Sequence, residues 1–139
     1  MGRSTRYGLY ASRADLEDHH VDPEDLRGHD VVMFDEAWDA LPEMVWLADR
    51  MGETAPALRV VTASAMTAAV AGGATLGVVP TLLARGDMVQ LVGPEALPSR
   101  DLWLVMHEDL RRAPPVRAVA DFFVEIFDEA LQAAFDGSP

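Results

Sequence analysis

The chain has 139 residues, half of them apolar, a net charge of −12 and no cysteine. Such a length suits one domain or two small lobes, with enough apolar residues for a core; disulfides and thiolate metal sites are excluded. All eleven basic residues are arginine, and so acidic a surface repels phosphate backbones, which argues against direct nucleic-acid binding by this stretch.

Met1–Thr5 is small and polar, and is expected to fray. Met1–Tyr10 lacks the apolar run of a secretory signal, and no stretch approaches the ~20 apolar residues of a membrane span. A cytoplasmic location without membrane contact is the expectation. Tyr7–Ser12 reads as a short strand, and Arg13–His20 as one or two helical turns with Ser12 as cap and Leu16 inward. Asp22-Pro23-Glu24-Asp25-Leu26 reads as a capped turn closed by Gly28. Val31–Phe34 is a buried strand, and Asp35–Leu41 an acidic loop with one Trp. Pro42 then opens a helix to Met51, with Met44, Leu47, Ala48 and Met51 on one face.

Leu58–Val61 is a strand leading into Val60–Pro80, VVTASAMTAAVAGGATLGVVP. This stretch reads as strand, capped helix over Ala63–Ala71, Gly72-Gly73 turn and a second strand over Leu76–Val79: a β-α-β unit. Thr81–Ala84 is a turn of helix, Met88–Val92 a strand and Gly93–Arg100 a Pro-rich connection. Leu102–Met106, LWLVM, is apolar enough for a central strand, and Glu108–Pro115 is a charged loop. The clearest helix runs from Pro115 to Phe135: Val116, Val119, Phe123, Ile126, Ala130 and Ala134 recur at helical spacing, with Phe127 alongside and Gly137 as its stop. Strands alternating with helices imply an α/β fold with a mixed sheet.

Few residues suggest chemistry. His19-His20 stands among acids, but adjacent helical histidines diverge by about 100° and chelate poorly, so a solvated turn is the simpler reading. His29 and His107 read as surface imidazoles, and Asp35, Glu36, Asp39 and Glu43 lack calcium-loop spacing. Gly72, Gly73 and Gly77 follow a helix rather than opening one, so they are not a dinucleotide fingerprint. No metal or cofactor is implied. Ser12, Thr62 and Ser64 stand outside any nucleophile elbow, and no His/Asp set accompanies them, so no catalytic centre is implied. For Ser12, helix capping is the favoured reading. For Thr62 and Ser64, capping and contact with a small carboxylate are equally supported, because a cap hydroxyl and its helix amides suit an anion. Arg111, Arg112 and Arg117 read as solvated residues around a helix start.

Taken in order, several phrases resemble the effector-binding (substrate-binding) domain of LysR-type transcriptional regulators. They are Gly8-Leu9-Tyr10-Ala11-Ser12; Pro23-Glu24-Asp25-Leu26-Arg27-Gly28-His29-Asp30; Trp46-Leu47; Val70 to Gly73 running on to Val78-Val79-Pro80; Leu102 to Arg112; and Val116 to Phe123. The resemblance implies a periplasmic-binding-protein-like fold of two α/β lobes around a small effector. It places crossing strands at Tyr7–Ser12 and Leu102–Met106 (spans 6–12 and 101–107), the second lobe over 13–100, and the 115–135 helix on a first lobe that is incomplete here. It also implies that hydroxyl residues at the helix start matching Thr62 face the effector. Ser12, Thr62, Ser64 and Thr75 are therefore the expected effector-binding set. Thr75 lies in Gly73-Ala74-Thr75, where the family usually has Gly-Leu-Gly, which narrows what that turn admits. The family's winged helix-turn-helix is not in this stretch, so its DNA binding is not carried over. The apolar helix face left by the incomplete lobe is expected to pack back on the second lobe or to pair chains, as a homo-oligomer or with a full-length relative. A stand-alone small-carboxylate or dimerisation module is the second reading.

Overall fold

The computed structural model describes residues 3–135, with side chains through Gln132. In order come β1 (Arg3–Thr5), β2 (Tyr7–Ser12), α1 (Arg13–Asp18), β3 (Val32–Phe34), α2 (Pro42–Met51), β4 (Leu58–Val60), α3 (Ala63–Ala71), β5 (Gly77–Pro80), β6 (Met88–Val92), β7 (Arg100–Leu102) and α4 (Pro114–Phe135). They fall into two units. One is 6–99; the other joins the N-terminal segment to everything from residue 100 on.

In the 6–99 unit local chemistry sets each helix. Ser12 sits in extended backbone and its Oγ accepts the Asp15 N–H at 3.0 Å, which starts α1. Pro42 occupies the first turn of α2, where its missing N–H costs nothing, and Gly52 at φ 59° ends the helix. Met44, Leu47 and Met51, at helical spacing, are its buried face. Thr62 caps α3, its Oγ1 accepting the Ala65 N–H at 3.1 Å.

Strand β2 is antiparallel to β5 on one side and β6 on the other. Strand β3 is parallel to β4. The two ladders join where Val31 bridges Leu76 in parallel: Val32 N–H donates to Leu76 O, and Leu76 N–H to Asp30 O, both at 2.9 Å. The layer therefore reads β4-β3-β5-β2-β6, a mixed sheet in an α/β unit. The β3-α2-β4 and β4-α3-β5 connections travel in opposite directions along it. Parallel crossovers are right-handed almost without exception, so α2 and α3 cover opposite faces. That is why β2 is buried along its whole length and β5 through Val79. The β4-α3-β5 unit differs from the sequence expectation in one respect: β3 lies between its two strands.

The core holds Leu9, Leu26, Met44, Leu47, Met66 and Leu76, each buried to 1% or less exposure, and each such side chain stabilises by about 1.5–3 kcal/mol. The turn before β3 is fixed by Asp22 Oδ1, which accepts Glu24 N–H, and by a two-pronged pair from Arg27 Nε and Nη2 to Asp25 at 2.8 and 2.7 Å.

The second unit pairs β1 with β7 antiparallel, Arg3↔Leu102 to Thr5↔Arg100, and Arg3 binds the Asp128 carboxylate on α4. None of its described residues is buried.

Three expectations change. Arg3–Thr5 is a strand rather than a frayed end; Met1 and Gly2 lie outside the described residues. Tyr7–Ser12, expected as a crossing strand, is the central strand of the 6–99 unit, flanked on both sides. Over 101–107 the strand ends at Leu102; Trp103–His107 has no regular structure, and Trp103 and Val105 are 82% and 86% exposed. Apolarity there marked a surface in need of cover, not a strand. Helix α4 begins at Pro114, one residue earlier than expected. Its expected stop at Gly137 and the packing of Ala134 lie outside the described residues.

A Cβ at Gly77 would stand 2.8 Å from both Val32 Cγ1 and Val70 Cγ2. Gly77→Ala should therefore lower unfolding free energy by about 1–3 kcal/mol through overpacking, measured by urea denaturation. Arg27, hydrogen-bonded first of all, lowers the Asp25 carboxyl from 3.8 to about 2. A lowered carboxylate stabilises above its unfolded-state pKa and loses that contribution as pH falls through the folded value. An NMR titration should give Asp25 a midpoint of about 2, and Arg27→Ala should return it toward 3.8.

Candidate functional site

The four residues expected to meet an effector do not share one site. Helix α3 starts at the carboxyl end of β4 and returns to the amino end of β5. Its nine residues span about 13 Å. Thr62 and Ser64 lie at its start; Thr75 follows its end. Ser12 ends β2, which is antiparallel to β5, so Ser12 is at the Thr75 end. A Cβ on Gly73 would lie 3.1 Å from Ser12 Oγ, which confirms how closely that turn approaches. The structure thus gathers Thr62 with Ser64, and Ser12 with the 73–75 turn, at opposite ends of the sheet.

At the Ser12 end the chemistry is mainly structural. Ser12 is buried and engaged as the α1 cap. Gly73 takes φ 81°, the left-handed region that a helix-ending turn favours. Thr75 is 4% exposed and its Oγ1 meets no hydrogen-bond partner among the described residues. Arg13, Glu17 and Asp87 border a shallow surface groove beside Ser12 and Gly72-Gly73.

The other end is open to solvent at Thr62 and Ser64. The carboxyl ends of β3, β4 and β5 emerge together there, since the three strands run parallel. In open α/β sheets ligands bind at this end, where the chain order reverses across the sheet; here that reversal falls between β3 and β5. Thr62 and Ser64 are exposed, as is Val61 at 74%. Thr62 Oγ1 takes the Ala65 amide. The amides of Ala63 and Ser64 have no acceptor within the helix and point outward from its positive end.

The surrounding charges are acidic. Asp35 follows β3, its N–H donating to Val60 O at 2.9 Å, and its carboxylate caps a 3-10 turn over Glu36–Trp38 by accepting the Ala37 N–H. Arg59 is the counter-charge. Its Nη1 donates to Phe34 O at 2.7 Å and to Asp39 Oδ1 at 2.9 Å. Asp39 above all, with Glu36 and Asp35, raises the Arg59 pKa. Trp38 is half exposed on the same turn. Glu43, in the first turn of α2, is buried at this end of the sheet. In the sequence Asp35, Glu36, Asp39 and Glu43 stand out only as an acid cluster without calcium-loop spacing, and nothing there singles out Arg59. Alternation along β4 was the available signal for it, but a three-residue strand shows too little of that period.

Among the described residues, no three His, Cys, Asp or Glu side chains are placed to hold a metal. His19 pairs with Asp15, and His107 Nδ1 accepts the Asp109 N–H.

Stability should separate cap from contact. Thr62→Ala should cost about 1 kcal/mol through loss of the α3 cap, whereas exposed Ser64→Ala should change unfolding free energy by less than about 0.5 kcal/mol. Thr75→Val should be neutral or stabilising, because it replaces a buried unsatisfied hydroxyl with a methyl group of the same shape. Urea unfolding of the three variants checks all of these.

The family model described as LysR substrate binding domain matches residues 3–128. No curated protein gives a significant match.

Proposed function

The chain belongs to the LysR substrate-binding domain family, and we propose that its effector seat is the start of α3, with Thr62 and Ser64 facing the ligand. As a member it is the effector-binding part of a LysR-type transcriptional regulator, and it takes a small molecule. The observation that supports this seat is the exposure of the Thr62/Ser64 helix start at the carboxyl end of the parallel strands. A helix start that presents amides and hydroxyls suits a carboxylate. The acids Asp35, Glu36 and Asp39 beside it select against a ligand carrying several negative charges. A monocarboxylate with a neutral body is the class that fits both. Thr75 and Ser12 stand about a helix length away, in supporting roles.

Binding acts by biasing an equilibrium between conformations or association states, not by chemistry on the ligand. This stretch does not itself engage nucleic acid: the 6–99 unit carries six arginines against fifteen carboxylates. No helix among the described residues is long and apolar enough to cross a membrane, and a cytoplasmic setting suits a regulator. Association, with itself or with a full-length relative, is the second reading, and the exposed apolar face of α4 favours it.

A thermal-shift screen with benzoate, short aliphatic monocarboxylates and matched dicarboxylates tests the seat. A monocarboxylate should raise the midpoint and its dicarboxylate counterpart should not. Ser64→Ala should weaken that ligand's binding by about 3–10-fold, the worth of one hydrogen bond, with the ligand-free midpoint unchanged. A screen in which no carboxylate moves the midpoint, or binding untouched by Ser64→Ala, counts against the assignment.

A further inference from the structure

A small apolar pocket lies wholly within the unit formed by β1, β7 and α4. Leu102, Trp103 and Leu104 line it from the end of β7 and the residues just past it. Phe123, Val124 and Phe127 line it from α4, where positions 123 and 127 are one helical turn apart and share a face. Arg3, opposite Leu102 in the β1-β7 ladder, completes the lining and is its one charged residue. The volume is about 170 Å³, and an apolar cavity of about 150 Å³ is enough to take a benzene ring. A second, wider groove shares Leu104 and Phe123 but has no polar side chain in its lining, so nothing there would orient a ligand.

Arg3 decides the class of ligand. Its Nε and Nη2 donate to the two carboxylate oxygens of Asp128. Those hydrogen bonds above all raise the Arg3 pKa and lower that of Asp128, so the pair stays ionised at neutral pH and its charge is answered within the unit. A carboxylate brought to Arg3 would also meet Asp128, and an ammonium brought to Asp128 would meet Arg3. Either would leave water without a partner of its own. Arg3 Nη1 has no hydrogen-bond partner among the described residues and can donate to a neutral oxygen. The walls decide the shape. Trp103, Phe123 and Phe127 are aromatic, and the two phenylalanines remain 44% and 40% exposed, which leaves ring faces and edges for offset or edge-to-face contact.

We propose that this pocket is a binding site for a neutral, single-ring aromatic compound with one hydrogen-bond acceptor, such as an aryl amide or aryl ketone, its ring among Trp103, Phe123 and Phe127 and its oxygen at Arg3. The site is separate from the seat at the start of α3, because it uses no residue of 6–99 and takes a neutral ligand where that seat takes an anion. A ligand of this size binds with a Kd on the order of 0.1–1 mM.

A methyl NMR titration of the full chain with benzamide, benzoate and benzylamine tests the site. Benzamide should shift the Leu102, Leu104 and Val124 methyls, and the two charged analogues should bind there at least about tenfold more weakly. Trp103→Ala removes an exposed ring, so it should weaken benzamide by about 5–10-fold and leave the melting of 6–99 unchanged. Asp128→Asn leaves the Arg3 charge unanswered, and should raise benzoate affinity by about tenfold and reverse the preference. No methyl shift at about 5 mM benzamide, several times the expected Kd, overturns the proposal. So does benzoate binding as well as benzamide to the unaltered chain, or a preference that Asp128→Asn leaves as it was. Shifts of these methyls on concentrating the protein alone would give the pocket to a protein contact and overturn it too.

Discussion

The 6–99 unit depends on how closely α3 lies against the sheet. At Gly77 there is no room for even a methyl group between Val32, Val70 and the strand backbone, and Met66 Sδ stands 3.5 Å from the missing Cβ. A sheet that admits a helix so closely buries both Met66 and Val70 fully. It also sets the height at which α3 begins. Thr62 and Ser64 emerge beside the carboxyl ends of β3 and β5 because the helix is anchored a turn later by Met66. Position of the site and packing of the core are therefore one constraint.

Helix limits were plain in the sequence wherever a backbone device marks them. Pro42 and Gly52 bracket α2, Ser12 starts α1, and Thr62 with Gly72-Gly73 bounds α3, because a missing N–H, a side-chain cap and a left-handed glycine are local chemistry. Strand order was not plain. Nothing local says that β3 inserts between β4 and β5, since that depends on the Val31–Leu76 bridge between residues far apart in the chain. The same gap explains the site. Ser12, Thr62, Ser64 and Thr75 share small hydroxyl chemistry, but only the antiparallel register of β2 with β5 shows that they divide between two ends of the sheet. The LWLVM run misled for a different reason: apolarity reports a need for burial, and the strand stops at Leu102 all the same.

Electrostatics give the Thr62/Ser64 end of the sheet its character. Arg59 is held between Phe34 O and Asp39, so its charge is already answered before any ligand arrives. A carboxylate seated there would rely on backbone amides and hydroxyls, which carry direction but no formal charge. Selectivity would then come from geometry and from the repulsion of neighbouring acids, a weaker and more tunable source than a paired arginine.

The absence of any buried residue among those described from residue 100 onward has a consequence for how this protein denatures. Every side chain of the buried core belongs to 6–99. Cooperative unfolding needs a shared core, so a calorimetric transition of this chain belongs to 6–99, and one free energy of unfolding does not describe both units.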